Sequence, residues 1–241
     1  MAATVTGPHR THVLGLPVDV APDLLAEAIA LHDRDGGQIV TINAEMTMAG
    51  LEDPALGAAI RAAELVIPDG AGVVWALARQ GIQVARCPGI ELARALLTHA
   101  ARMGWRVALV GASPAVMAEL CQRLRREMPD LQVVLAEHGY QSAEAWPALE
   151  QRLRDLRPDL VLAALGVPRQ ELWIQAQPRP LGGLWMGVGG SFDVWSGAKK
   201  RAPGWMGALN VEWLYRLIQE PRRWRRMLAL PAFAREVIRR G

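Results

Sequence analysis

The chain has 241 residues, 51% hydrophobic and 21% charged, which is enough to bury a substantial core in one domain with an appendage. Its formal net charge is +3, yet residues 221–241 hold seven arginines against one glutamate, so residues 1–220 sum to −3. Basicity confined to one end argues against a nucleic-acid-binding face, which would spread Lys and Arg over a domain surface. With two cysteines, Cys87 and Cys121, in no CxxC pair, a disulfide framework is excluded. No run of 18 or more uncharged apolar residues occurs and the first residues carry no apolar leader, so a cytosolic protein is expected.

In chain order the hydrophobic period alternates between 2 and 3.6. HVLGLPV (12–18) reads as a buried strand, followed by helix APDLLAEAIALHDRD (21–35), strand QIVTIN (38–43), helix PALGAAIRAA (54–63) and strand ELVIP (64–68). Helices AGVVWALARQ (71–80) and GIELARALLTHAARMG (89–104) precede strand WRVALVG (105–111), helix SPAVMAELCQRLRREM (113–128) and strand LQVVLAE (131–137). Helix SAEAWPALEQRLRDLR (142–157) and strands DLVLAALG (159–166) and GGLWMGVGG (182–190) complete the series. The alternation predicts a Rossmann-like α/β domain over residues 1–195, with a largely parallel sheet and helices on both faces. A mostly helical, Arg-rich appendage follows over 196–241. Ligands of such sheets bind beyond the carboxyl ends of the strands, so Asn43, Asp69, Gly111, Gly166 and Gly189 stand out.

Several familiar motifs are missing. The strand-turn-helix WRVALVGASP, turning at Gly111 with Ser113 and Pro114 opening the helix, offers free amides to a phosphate but lacks GxGxxG and GxxxxGK[ST]. Neither a dinucleotide fold nor a P-loop is favoured, which counts against a nucleotide-sugar dehydrogenase or epimerase. Asp33-Arg34-Asp35 has the acid-x-acid form of a metal pair but lies at a helix end before two glycines. His9, His12, His32, His99 and His138 have no ligand spacing. No metal and no other cofactor is expected.

Six stretches stand out together: TINAE (41–45), IPDGAGVVWA (67–76), RCPGIEL (86–92), LGVPRQELWI (165–174), GVGGSFDVWSGAKKRAP (187–203) and NVEWLYRLIQEPRRWRR (210–226). In this order they make the chain resemble the WecG/TagA/CpsF glycosyltransferases, glycosyltransferase family 26, from about His12 to Arg226. The resemblance implies an inverting, metal-independent enzyme at the cytosolic face of the cell membrane. Such an enzyme moves a hexose, N-acetylmannosamine or glucose for example, from a UDP-sugar to a polyprenyl-diphosphate-linked sugar of a cell-surface polysaccharide. A homo-oligomer is expected. A non-catalytic, membrane-associated scaffold of a polysaccharide assembly complex is the alternative. One departure is Ala44, where the family usually has proline.

Inverting transfer requires a carboxylate that takes the acceptor hydroxyl's proton. Asp69, ending ELVIP and followed by Gly70 and Gly72, is the candidate; capping the helix after it is the other reading. Glu45 and Glu171 are fallback bases. By its place in the family motif, Arg86 would offset charge on the leaving diphosphate, a task that suits a planar guanidinium. Thr41 and Asn43 would hold sugar or acceptor, or else cap a helix. Gly187, Gly189 and Gly190 would bring backbone close to UDP, with Asp193 accepting from the uracil, Tyr140 stacking on it, and Gln170 facing the same cleft. The basic AKKRAP section (198–203) beside this loop would attract phosphates, with Lys199 and Lys200 read alternatively as solvated turn residues. The tail's arginines interleave with apolar residues, as suits a helix in a membrane interface; the resemblance adds Arg216, Arg222, Arg223 and Arg226 as contacts to the diphosphate.

Overall fold

A computed structural model describes residues 3–4, 7–177, 182–203, 206, 212–219, 221 and 224–240. The centre is a six-stranded parallel sheet. Its strands, in spatial order, are β5 (Leu65–Pro68), β4 (Gly37–Ile42), β10 (Leu184–Gly187), β9 (Leu160–Ala164), β7 (Arg106–Gly111) and β8 (Gln132–Glu137). Strands β4 and β5 run to one edge, β7 and β8 to the other, and the chain returns through β9 to lay β10 beside β4. That junction is where strand order reverses, and the carboxyl ends of parallel strands open a crevice there.

Alternate residues of each strand face opposite layers, so every strand is apolar on both sides. Ile39, Ile67, Leu109, Leu162 and Met186 pack under α1 (Leu24–Arg34), α5 (Gly89–Met103) and α6 (Pro114–Glu127). On the other face Val40, Ile42 and Val66 meet α3 (Pro54–Ala62) and α4 (Ala71–Arg79), while Val110, Val161 and Ala163 meet α7 (Ala145–Leu156). Phe192, in the short helix α9 (Ser191–Trp195), is fully buried in the first of these layers and anchors the loop that leaves β10.

HVLGLPV forms a hairpin and not one strand. β2 (His9–Val13) and β3 (Leu16–Val20) pair antiparallel about Leu14 and Gly15, whose φ of 53° and 84° are those of a two-residue turn. Strands β1 (Ala3–Thr4) and β6 (Ile82–Gln83) form a separate parallel pair. A helix absent from the periodicity reading is α2 (Ala44–Glu52): the Asn43 side chain caps it by accepting from Met46 N at 2.9 Å. Asp53 then ends α2 and caps α3. Ala44 is the first residue of α2, the position where proline is tolerated because its missing N–H has no helical partner.

At the C-terminus lie α10 (Glu212–Gln219), α11 (Trp224–Met227) and α12 (Ala229–Arg240). Phe233 and Val237 of α12 are buried in the same cluster as Val40, Ile42 and Val73. The end of the Arg-rich segment is thus packed onto the α/β body.

Candidate active site

A cleft of about 200 Å³ opens at the carboxyl ends of β5, β4 and β10. Thr41 and Asn43 follow from β4, Asp69 from β5, and Gly187, Gly189 and Gly190 from β10. Gln170, from helix α8 (Arg169–Gln175), closes one side; Lys199, Lys200 and Arg201 form the rim, and Tyr215 and Gln219 of α10 reach it from above. Asp69 is the one carboxylate among the described residues that line it.

Local sequence explains how Asp69 is placed. Its amide continues the β4–β5 ladder by donating to Ile42 O at 3.0 Å, and Cys87 N donates to Pro68 O at 2.9 Å, drawing the RCPG segment across the end of β5. The N-cap of α4 is Gly70, which has no side chain to cap it with. Asp69 Oδ1 accepts from the backbone amide of Gly89, the first residue of α5, at 3.1 Å. Glycine is required at both flanking positions by contact: a Cβ on Gly70 would lie 2.8 Å from Asn43 Cβ, and one on Gly89 2.7 Å from Thr41 Cγ2. Gly70 of PDG and Gly89 of RCPG therefore let α4 and α5 crowd the end of β4. Beside this site, burial and then the Asp69 charge push the Cys87 thiol up to about 11, which makes it a poor nucleophile at neutral pH.

Gln170 is buried and holds the opposite wall. Its Oε1 accepts from Gly166 N and Gly189 N, both at 3.1 Å, joining the loops that follow β9 and β10. A Cβ on Gly187 would approach Gln170 Nε2 to 2.5 Å, so that glycine makes room for Gln170. Gly189, with φ of 50° and open space where a side chain would stand, is the backbone exposed to the cleft. Asp193 stands behind the rim, its Oδ1 3.7 Å from Lys199 Nζ. Gln219 Nε2 donates to Lys200 O at 3.0 Å and ties α10 to the rim.

Other expected site residues lie elsewhere. Arg86 is half-buried on the segment crossing β5, outside the cleft lining. Tyr140 follows the edge strand β8 and is 76% exposed, away from the cleft. Gly111 ends β7, where a Cβ would clash with the Ala164 carbonyl; a neighbouring strand accounts for that glycine. Glu171 is buried and does not line the cleft. Glu45 and Arg226 form an ion pair at 3.4 Å in an adjoining groove of about 710 Å³, which shares Asn43, Met46 and Val167 with the cleft. Arg222, Arg223 and the side chain of Arg216 lie outside the described residues. Arg201 belongs to the basic AKKRAP section that the sequence reading sets beside the phosphates, whereas nothing in the sequence reading singles out Tyr215 and Gln219.

The model of the glycosyl transferase WecG/TagA/CpsF family matches residues 11–241. The chain belongs to this family. It is 34% identical over 218 residues to an N-acetylglucosaminyldiphosphoundecaprenol N-acetyl-beta-D-mannosaminyltransferase of Bacillus spizizenii, an alignment covering 88% of this chain and 83% of the relative. The enzyme of the same name from Bacillus subtilis (strain 168) is 35% identical over 215 residues, 87% of this chain and 82% of its own. Membership makes the chain a glycosyltransferase, and its PDG and RCPG segments are the ones that meet at Asp69 and Gly89.

Proposed function

We propose that the chain transfers a sugar from a UDP-sugar to a polyprenyl-diphosphate-linked sugar, with inversion and without a metal, in the synthesis of a cell-surface polysaccharide. The observation that carries this reading is that Asp69, the one carboxylate among the described lining residues, shares a cleft with Lys199, Lys200 and Arg201. Asp69 takes the proton from the acceptor hydroxyl as its oxygen forms a bond to the anomeric carbon. The bond from that carbon to the diphosphate breaks on the opposite face, and the electron pair leaves with UDP. Lys199, Lys200 and Arg201, on the rim, offset the charge developing on the diphosphate, as a metal does in other transferases.

The relatives' names give the acceptor as an N-acetylglucosaminyl-diphospho-undecaprenol and the transferred sugar as N-acetylmannosamine. N-acetylmannosamine is accordingly the first donor to test, with glucose second. The adjoining groove suits the lipid end of such an acceptor: Met46, Met48, Leu56, Val167, Leu228 and Ala232 give it apolar walls that continue from the cleft. No helix among the described residues is long and apolar enough to cross a membrane. Contact with the membrane falls instead to exposed Ile218, Trp224 and Ile238, interleaved with tail arginines that attract anionic lipid.

Purified full-length protein, given a panel of UDP-sugars and a short-chain polyprenyl-diphosphate N-acetylglucosamine, should release UDP and form one product of inverted anomeric configuration. Turnover with none of the panel would favour the scaffold reading.

A further inference from the structure

Among the described residues one acid, Glu171, is buried and takes no direct part in the proposed transfer. Glu171 is 2% exposed. Its Oε1 accepts from Gln170 Nε2 at 2.7 Å, while its Oε2 has no hydrogen-bond partner. Burial pushes its carboxyl up to about 7, so that a neutral acid is present well into the range where ordinary carboxylates are ionised. Gln38 Nε2 donates to the Glu171 carbonyl oxygen at 3.2 Å, which fixes the backbone at this point to β4.

A glutamine side chain has one accepting and one donating end. The accepting end of Gln170 receives two backbone amides, Gly166 N and Gly189 N, and the reversed orientation would set its NH₂ group against both donors. Something must hold the donating end on the other side, in a place closed to water. We infer that Glu171 is a positioning residue for sugar transfer: it fixes the Gln170 amide so that Gln170 locks the loops after β9 and β10 into the wall of the cleft. The inference deepens the reading of this cleft as the UDP-sugar site, and rests on it only for its kinetic consequence.

Substitution separates this role from general base catalysis. Glu171→Gln keeps an accepting oxygen for Gln170 Nε2, whereas Glu171→Met keeps the volume and removes the acceptor. Glu171→Gln should hold kcat and donor KM within about threefold of wild type, while Glu171→Met should raise donor KM and weaken UDP binding in calorimetry by about tenfold with a smaller change in kcat. Loss of kcat in Glu171→Gln would make the residue a base and overturn the inference, as would wild-type KM and UDP affinity in Glu171→Met. Amide hydrogen exchange reads the clamp without any turnover: protection at Gly166 and Gly189 should survive in Glu171→Gln and fall about tenfold in Glu171→Met. Equal protection in the two variants overturns the inference; absence of UDP-sugar turnover in the wild type overturns the proposed function and leaves the exchange result to decide Glu171. Should Glu171→Met not fold, the wild-type Gln170 side-chain amide decides, since its protons should exchange far more slowly than those of a solvated glutamine, and rapid exchange would contradict the clamp.

Discussion

The backbone amide of Gly89 donates a 3.1 Å hydrogen bond to Asp69 Oδ1, so the carboxylate at the end of β5 also secures the first turn of α5. Removing it should therefore cost stability as well as activity. Asp69→Ala, which loses the acceptor, should be destabilised by about 1 kcal/mol in chemical denaturation. Asp69→Asn, which keeps an oxygen for Gly89, should stay within about 0.5 kcal/mol of wild type. Equal losses in the two variants would show that the Gly89 contact contributes nothing.

The C-terminal segment should divide into an anchoring and a membrane-facing set. Phe233 is 2% exposed and belongs to the core beneath β4. Phe233→Ala should lower stability by about 3–5 kcal/mol, and a chain ending at residue 220 should be poorly folded for the same reason. Ile218, Trp224 and Ile238, at 67%, 54% and 60% exposed, carry no such burden. Replacing all three with serine should leave thermal stability nearly unchanged and strongly reduce cosedimentation with anionic vesicles. Undiminished vesicle binding by the triple variant would remove these residues from the membrane contact.

Most of the sheet was legible because its strands are short apolar runs ended by Gly, Pro or Asp, and the six helices read from periodicity all occur. The misses have local causes. Leu14 and Gly15 interrupt HVLGLPV with two positive φ angles, which an unbroken apolar run conceals. Helix α2 begins at a polar cap inside TINAE and was masked by its reading as a strand end. Asp69, Thr41, Asn43, Gln170 and the β10 glycines meet in one cleft because all lie at or beyond the carboxyl ends of neighbouring strands. Tyr140 follows β8 and Gly111 ends β7, at the far side of the sheet, and strand order is not written in hydrophobic period. The rim cations and the reach of α10 are tertiary facts with only the KKR run to announce them.

Titration of Glu171 gives a sign that can be checked. Its folded value of about 7 lies above the ordinary glutamate value of 4.5, so between these pH values the native state binds the proton more tightly than the unfolded chain does. Stability conferred by the neutral acid is complete below the unfolded value and is lost as pH rises toward and through 7. Glu171→Gln does not titrate. Its thermal stability should match wild type near pH 5 and exceed it by pH 8, by at most roughly 3 kcal/mol. A gap that stays constant across this range would mean that Glu171 is not shifted.

The rim cations carry a second consequence. If, as proposed, Lys199, Lys200 and Arg201 offset the charge on the leaving diphosphate, turnover should be unchanged in excess EDTA. Activity lost to EDTA and restored by Mg²⁺ or Mn²⁺ would contradict that division of labour.

The identity of the general base is tested most directly by comparing Asp69→Asn with the wild type in single-turnover transfer, alongside UDP affinity by calorimetry. Because the variant keeps the shape of the site and its bond to Gly89, the rate should fall about 10²-fold or more while UDP affinity stays within a few fold. A wild-type rate in Asp69→Asn would contradict proton transfer to Asp69.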